Sequence, residues 1–215
     1  MLTETQALTL ARWLSPAYPV GGFAYSHGLE TAIADGHVTD EASLQDWLSD
    51  LLEHGAGRND ALFLAAAFRA TDDAELARID ATARAFAAAR ERVIEAERQG
   101  AAFVRTEAAV SGGPDTPLLH PVAIGARAAR HGLPLRPTVA LYLHGFMANL
   151  VSAALRLMPL GQTGGQRVQI ALAPLCERLA AEAKTGTLDD LSSTSFLGDV
   201  TAMRHETQQP RIFAT

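Results

Sequence analysis

Ser26 and His27 stand side by side, a hydroxyl beside a base, the pairing that nucleophilic acyl transfer uses. Adjacent residues in a helical turn point about 100° apart, and no Gly-x-Ser-x-Gly elbow surrounds them, so hydrolase chemistry is disfavoured. His205-Glu206 lacks the second histidine of a zinc-protease helix. The seven histidines fall at 27, 37, 54, 120, 131, 144 and 205, with no two at helical three- or four-residue spacing. A metal that prefers imidazole or thiolate would therefore find no preformed cage, and no metal ligand is assigned. Cys176, the one cysteine, lies in an apolar helical stretch and reads as a buried, inert thiol. Gly161 to Arg167 opens a helix and resembles a phosphate loop, but it has no Gly-Lys-[Ser/Thr] and no strand before it. A turn between helices is the better reading, and the chain is not expected to bind a nucleotide by itself. No catalytic constellation is visible. A helical hydrolase, or another enzyme with an unrecognised pocket, stays as the alternative.

The elements around these residues are helical. Alanine and leucine dominate while β-branched and aromatic residues are sparse, and 215 residues suffice for one domain with a substantial core. A net charge of −6 argues against a nucleic-acid partner, which would call for a basic patch. No leader pattern and no apolar run of spanning length is read, so the expected location is cytoplasmic, without a membrane.

Periodicity predicts helices over 2–14, 26–35, from Thr39 or Asp40 to about Gly55, from Asn59 or Asp60 to Phe68, and from Asp72 or Asp73 to Phe86. The stretch from Ala87 to Val110 stays helical but is crowded with charge. Its pairing at helical spacing is imperfect, which argues that some of these charges have partners elsewhere. Residues 111–115 form the clearest break and a candidate hinge. Helices follow from Pro121 to His131, from Pro137 to Met158 and from Gln166 to Lys184, the last with a kink or break expected at Pro174. Shorter helices are expected at 187–190 and 196–205. With no convincing strand, the fold class is all-α, a single helical domain of about ten helices over 1–215.

One stretch is more than a connection. From Ser15 to Glu30 the chain reads Ser-Pro-Ala-Tyr-Pro-Val-Gly-Gly-Phe-Ala-Tyr-Ser-His-Gly-Leu-Glu. Pro16 and Pro19 stiffen it, Gly21-Gly22 permits a corner, and Phe23, Tyr25 and His27 alternate before Gly28 and Glu30. This run resembles the N-terminal signature of the UreF-type urease accessory proteins. A second match runs from Asn149 through Arg156 and on through Pro159, Gly161, Gln162 and Gln166, and a third is Met203-Arg204-His205-Glu206-Thr207-Gln208 followed by Arg211-Ile212-Phe213. The matches keep the family's order and spread over nearly the whole chain, while residues 60–115 match mainly in helical character.

The resemblance implies an all-α homodimer and a non-enzymatic scaffold in urease maturation. It would join UreD (UreH), recruit the GTPase UreG, and sit on apo-urease during nickel insertion, modulating GTP hydrolysis. GTP would belong to UreG and nickel to the assembly, with no cofactor held stably here. On this reading residues 204–215 order on binding UreD, with Arg204, His205, Glu206, Arg211, Ile212 and Phe213 at that contact. Phe23, Tyr25, His27 and Glu30 would form or support the UreG-facing surface. Pro19, Gly21, Gly22, Gly28, Asn149, Gly161 and Gln162 are expected to be structural.

Overall fold

Several helices begin where a short polar side chain replaces the missing helical partner. In the computed structural model, which describes Leu2–Thr215, Thr3 Oγ1 accepts from Gln6 N at 3.2 Å and Gln6 Oε1 accepts from Thr3 N at 3.0 Å, starting α1 (Glu4–Trp13). Asp40 does the same with Ser43 for α3 (Glu41–His54), after the short α2 (Leu29–Ala34). A single residue, Gly55, separates α3 from α4 (Ala56–Arg69), and Asp72 caps α5 (Asp73–Phe86). The remaining helices are α6 (Arg90–Ser111), α7 (His120–Arg130), α8 (Leu135–Leu157), α9 (Gln162–Ala183) and α10 (Phe196–His205), with 3₁₀ turns at Gly22–Ala24 and Leu188–Asp190. Among the described residues there is no strand, and the fold is all-α.

Several boundaries differ from the periodicity by two to four residues, and two of them have a clear local reason. Helix α2 starts at Leu29 rather than Ser26, because His27 (φ 58) and Gly28 (φ 76) are left-handed and cannot continue a right-handed helix. Helix α9 starts at Gln162, so Gly164 and Gly165 lie inside it, packed close to Leu160 and Val151. Pro174 neither ends nor divides α9. The 111–115 break is a loop, held by the Arg127 guanidinium, which donates to the carbonyls of Gly112 and Pro114.

Helix α8 is the axle. It packs against α2, α3, α4, α7 and α9, and Leu143, Met147, Leu150, Val151 and Ala154 are buried along it. It is long and apolar enough to span a membrane by length and composition, but half of its most apolar window is buried in this core. Helices α4 and α7 form the closest crossing, where a methyl group on Gly125 would collide with the Leu64 carbonyl oxygen. A smaller cluster of Phe63, Ile79, Ala83, Leu119 and Val122 seats α5.

The N-terminal segment is fastened from inside. The fully buried Glu107 carboxylate accepts from Trp13 Nε1 at 2.8 Å, Tyr18 OH at 3.1 Å and the Arg12 guanidinium at 3.1 Å, with His131 Nε2 at 3.3 Å. Trp13 and Tyr18 also stack near Phe103 of α6. Glu107→Ala strands two buried donors and is expected to cost about 3 kcal/mol in urea denaturation. Arg12→Ala, at the half-exposed edge of the same cluster, should cost less than about 1 kcal/mol.

Candidate functional site

The Ser15–Glu30 stretch and the C-terminal tail meet. Their meeting point is Glu30, in the first turn of α2 and buried. Glu30 Oε1 accepts from the Ile212 amide at 2.7 Å, and Oε2 accepts from the Phe213 amide at 2.9 Å. The same Oε2 lies 3.2 Å from His205 Nε2, while His205 Nδ1 lies 2.7 Å from Glu91 Oε2 on α6. Glu91 Oε1 in turn accepts from Arg211 at 2.7 Å. Beyond Phe213 the chain continues inward: Ala214 N donates to Ala24 O at 2.8 Å, and Ser26 N and Oγ donate to the main-chain oxygen of Thr215 at 2.8 and 2.6 Å. Thr215 Oγ1 reaches Glu95 at 3.1 Å. Burial would raise the Glu30 carboxyl, but the Phe213 and Ile212 amides and His205 outweigh it and hold the group below its ordinary value of 4.5.

Several expected contact residues therefore sit elsewhere than on a free surface. Tyr25, His27, Glu30, His205 and Phe213 are buried, and residues 204–215 are folded against the body of the isolated chain. The reason is the hydrogen-bonding capacity of Glu30, together with a pocket for the Phe213 ring under the Arg156 guanidinium, 4.1 Å from the ring centroid. Phe23, Arg204, Glu206, Arg211 and Ile212 are exposed. Of these, Arg204 pairs with Asp35 at 2.6 Å, and Glu206 accepts from Arg90 N at 2.9 Å at the start of α6.

The structural set supports the same junction. Pro19 is exposed, and Gly21 (φ 72) makes the corner before the Gly22–Ala24 turn. Asn149 Nδ2 donates to Tyr25 O at 3.2 Å, and Arg156 donates to Phe23 O at 2.8 Å, so α8 holds the stretch by its backbone. Gly28 lies where a side chain would come within 2.7 Å of the Ala202 amide on α10. Gly161 (φ 72) and Gln162 start α9, and Gln162 is exposed. Ser26 and Arg156 fall inside the family-matching stretches without an expected contact, Thr215 lies outside them, and Glu91 and Glu95 belong to the charged helix. The unsatisfied charge pattern of α6 was the signal available for Glu91 and Glu95.

Under the Ser15–Phe23 stretch lies a mainly apolar cavity of about 420 Å³, walled by Trp13, Val20 and Phe146 among others, with Asp60, Arg92 and Glu95 reaching into it. A cavity of about 60 Å³ adjoins it, sharing Asp60 and Arg92 and reaching His27. Arg92 pairs with Glu95, and Tyr142 OH donates to Asp60 at 2.8 Å. Burial pushes the Asp60 carboxyl up to about 6, against the pull of Arg92 and the Tyr142 hydrogen bond. Burial, then the charge of Arg92, pushes His120 down to about 4 and His27 well below its ordinary range. His27 Nδ1 is 3.9 Å from Glu95, beyond hydrogen-bond reach, and has no partner. Among the described residues, no group of three His, Cys, Asp or Glu is placed to hold a metal ion. Cys176 is buried, its thiol pushed up to about 11 by desolvation.

Two outcomes follow from these groups. Because the Glu30 carboxyl is lowered, its contribution to tail docking is complete above its ordinary value and is lost as pH falls through the lowered one. Acidification is expected to lower the protection of the Ile212 and Phe213 amides, relative to their intrinsic exchange rates, before that of amides in α8. Asp60 has the opposite sign: its raised carboxyl costs stability once it ionises. Asp60→Asn, which keeps an acceptor for Tyr142, should raise stability at pH 8 by roughly 1–3 kcal/mol and leave it nearly unchanged at pH 4, measured by urea denaturation.

Comparison with known proteins bears on the whole chain. A family model described as UreF matches residues 38–173. The chain is 52% identical over 213 residues to the urease accessory protein UreF of Ruegeria pomeroyi, covering 99% of this chain and 98% of that protein. It is 53% identical over 208 residues to the protein of the same description from Cereibacter sphaeroides, covering 97% and 98%. With the one from Bradyrhizobium diazoefficiens it shares 47% over 216 residues, covering 95% and 89%. With that coverage, and with the N-terminal and C-terminal segments locked onto one helical body, the chain belongs to the UreF family of urease accessory proteins, which are chaperones and not enzymes.

Proposed function

We propose that this chain is a docking scaffold that uses its C-terminal face to join UreD (UreH) and, with it, recruits the GTPase UreG to apo-urease. The observation that carries the reading is the outer face of α10. Phe196, Val200 and Met203, at positions i, i+4 and i+7, are 74%, 46% and 50% exposed, while Gly198, Thr201, Ala202 and His205 anchor the opposite face. A helix bound on one side and apolar on the other invites a partner. Ile212, 66% exposed on the anchored tail, adds to the same C-terminal segment.

The UreG-facing role falls to the corner at Pro19–Phe23. There the Phe23 ring is 71% exposed while its carbonyl is held by Arg156, so the aromatic is presented from a fixed backbone. Tyr25, His27 and Glu30 support that corner from within. Nickel is the cargo of the assembly and GTP the ligand of UreG; this chain supplies contacts and modulates the GTPase. Homodimerisation and a cytoplasmic setting complete the reading.

Co-purification with UreD and UreG tests it. Val200→Glu combined with Met203→Glu is expected to weaken UreD binding at least about tenfold, as loss of a packed apolar anchor does. Ile170→Glu, on the exposed face of α9, should leave it unchanged. Phe23→Ala should lower UreG recruitment while UreD is retained. Full UreD binding by the α10 variant would overturn the assignment of that face.

A further inference from the structure

His205 has no contact with water, and each of its ring nitrogens faces a carboxylate. A neutral imidazole carries one N–H, so it can donate to only one of them. The other nitrogen would then turn a lone pair toward an oxygen that also carries only lone pairs. With both carboxylates ionised, Nδ1 at 2.7 Å from Glu91 and Nε2 at 3.2 Å from Glu30 are both satisfied only by the imidazolium. The charges close as well: Glu30 and Glu91 are balanced by His205 and Arg211. Removing the ring proton leaves a buried excess of negative charge where the tail amides of Ile212 and Phe213 are bound.

We propose that His205 is a proton-operated latch: α10 and the tail dock with its ring doubly protonated between Glu30 and Glu91, and loss of one ring proton releases the tail. Several neighbouring charges on the packed elements are already engaged. On α2, Asp35 pairs with Arg204; on α6, Arg92 pairs with Glu95, and the Arg90 amide is taken by Glu206. On α3, Asp50 accepts from Ser195 at the far end of α10. None of them faces the His205 ring with a compensating charge. Docking therefore takes up a proton, and its stability is present at lower pH and lost as pH rises. Since one proton is linked, the docked-to-released ratio falls by up to about tenfold per pH unit on that limb. The acid limb belongs to the Glu30 carboxyl, so docking peaks between the two. The latch concerns the isolated chain and does not depend on which partner covers α10.

Nuclear magnetic resonance of the full-length chain between pH 5.5 and 9 tests it, following the His205 ring carbons and the Ile212 and Phe213 amides together. The expected result is a ring protonated at both nitrogens while the two amides are hydrogen-bonded, with both signals changing in step as pH rises. His205→Gln has no charge to titrate and presents an acceptor oxygen to one of the two carboxylates, so it should give weakened, pH-independent amide bonding across that range. His205→Lys, charged throughout it, should keep the amides bonded where the native chain has lost them. A neutral ring with the tail still docked would overturn the latch, as would a His205→Gln chain with the native pH profile. Should either variant fail to fold, the ring titration of the native chain decides alone.

Discussion

A carboxylate removed from water must have its oxygens fully hydrogen-bonded, and two such groups hold this protein's ends to its middle. Glu107 gathers Arg12, Trp13 and Tyr18, fixing α1 and the start of the proline-rich stretch to α6. Glu30 gathers two tail amides and His205, fixing the C-terminal segment to α2 and, through Glu91, again to α6. In each case a single buried anion draws together pieces of chain far apart in sequence. The penalty for leaving either anion unpaired is what makes these attachments specific rather than merely sticky.

Around these anchors the chemistry is that of presentation rather than of reaction. The histidines that first suggested catalysis are used inside: His27 and His120 are neutral through burial, and His205 bridges two acids. What reaches the surface is apolar. The stripe on α10, Ile212 and Phe23 are all displayed by segments whose backbones or opposite faces are tied down. A fixed backbone under an exposed apolar side chain lowers the entropy lost on association, which suits a member of an accessory-protein family.

The tail illustrates where motif reading and geometry part. Arg204 to Phe213 reads as a docking sequence with two apolar residues at its end, and the motif is a single block on the page. In the fold its residues separate: Phe213 turns inward beneath Arg156, Ile212 turns out, His205 is enclosed, and Arg204 and Arg211 remain at the rim. The end of α10 and the bends after it send neighbouring side chains in different directions, so one motif can serve the core and a partner at once. The Phe23–Tyr25 pair also splits, because Phe23 lies in the Gly22–Ala24 turn and stays outside while Tyr25, just past that turn, is buried.

The all-α class, several helix starts and the family were legible in the sequence by itself, whereas Gly164, Gly165 and Pro174, which read as a link and a break, lie inside α9. What was legible depends on local capping chemistry, helical periodicity and long ordered motifs, all written in consecutive residues. The pairs Thr39-Asp40 and Asp72-Asp73 announced their helices, with Asp40 and Asp72 the caps in the fold, and the poorly matched charges of α6 announced partners elsewhere. Only the tertiary structure decided who those partners are. Glu91 meets His205 and Arg211, and Glu95 meets Arg92 and Thr215, because α2, α6, α10 and the tail converge in space. The left-handed His27 and Gly28, which shorten α2 and let α10 approach, likewise follow from that convergence. Burial is a property of the packed whole, so no spacing along the chain could assign Tyr25 or His205 to the interior.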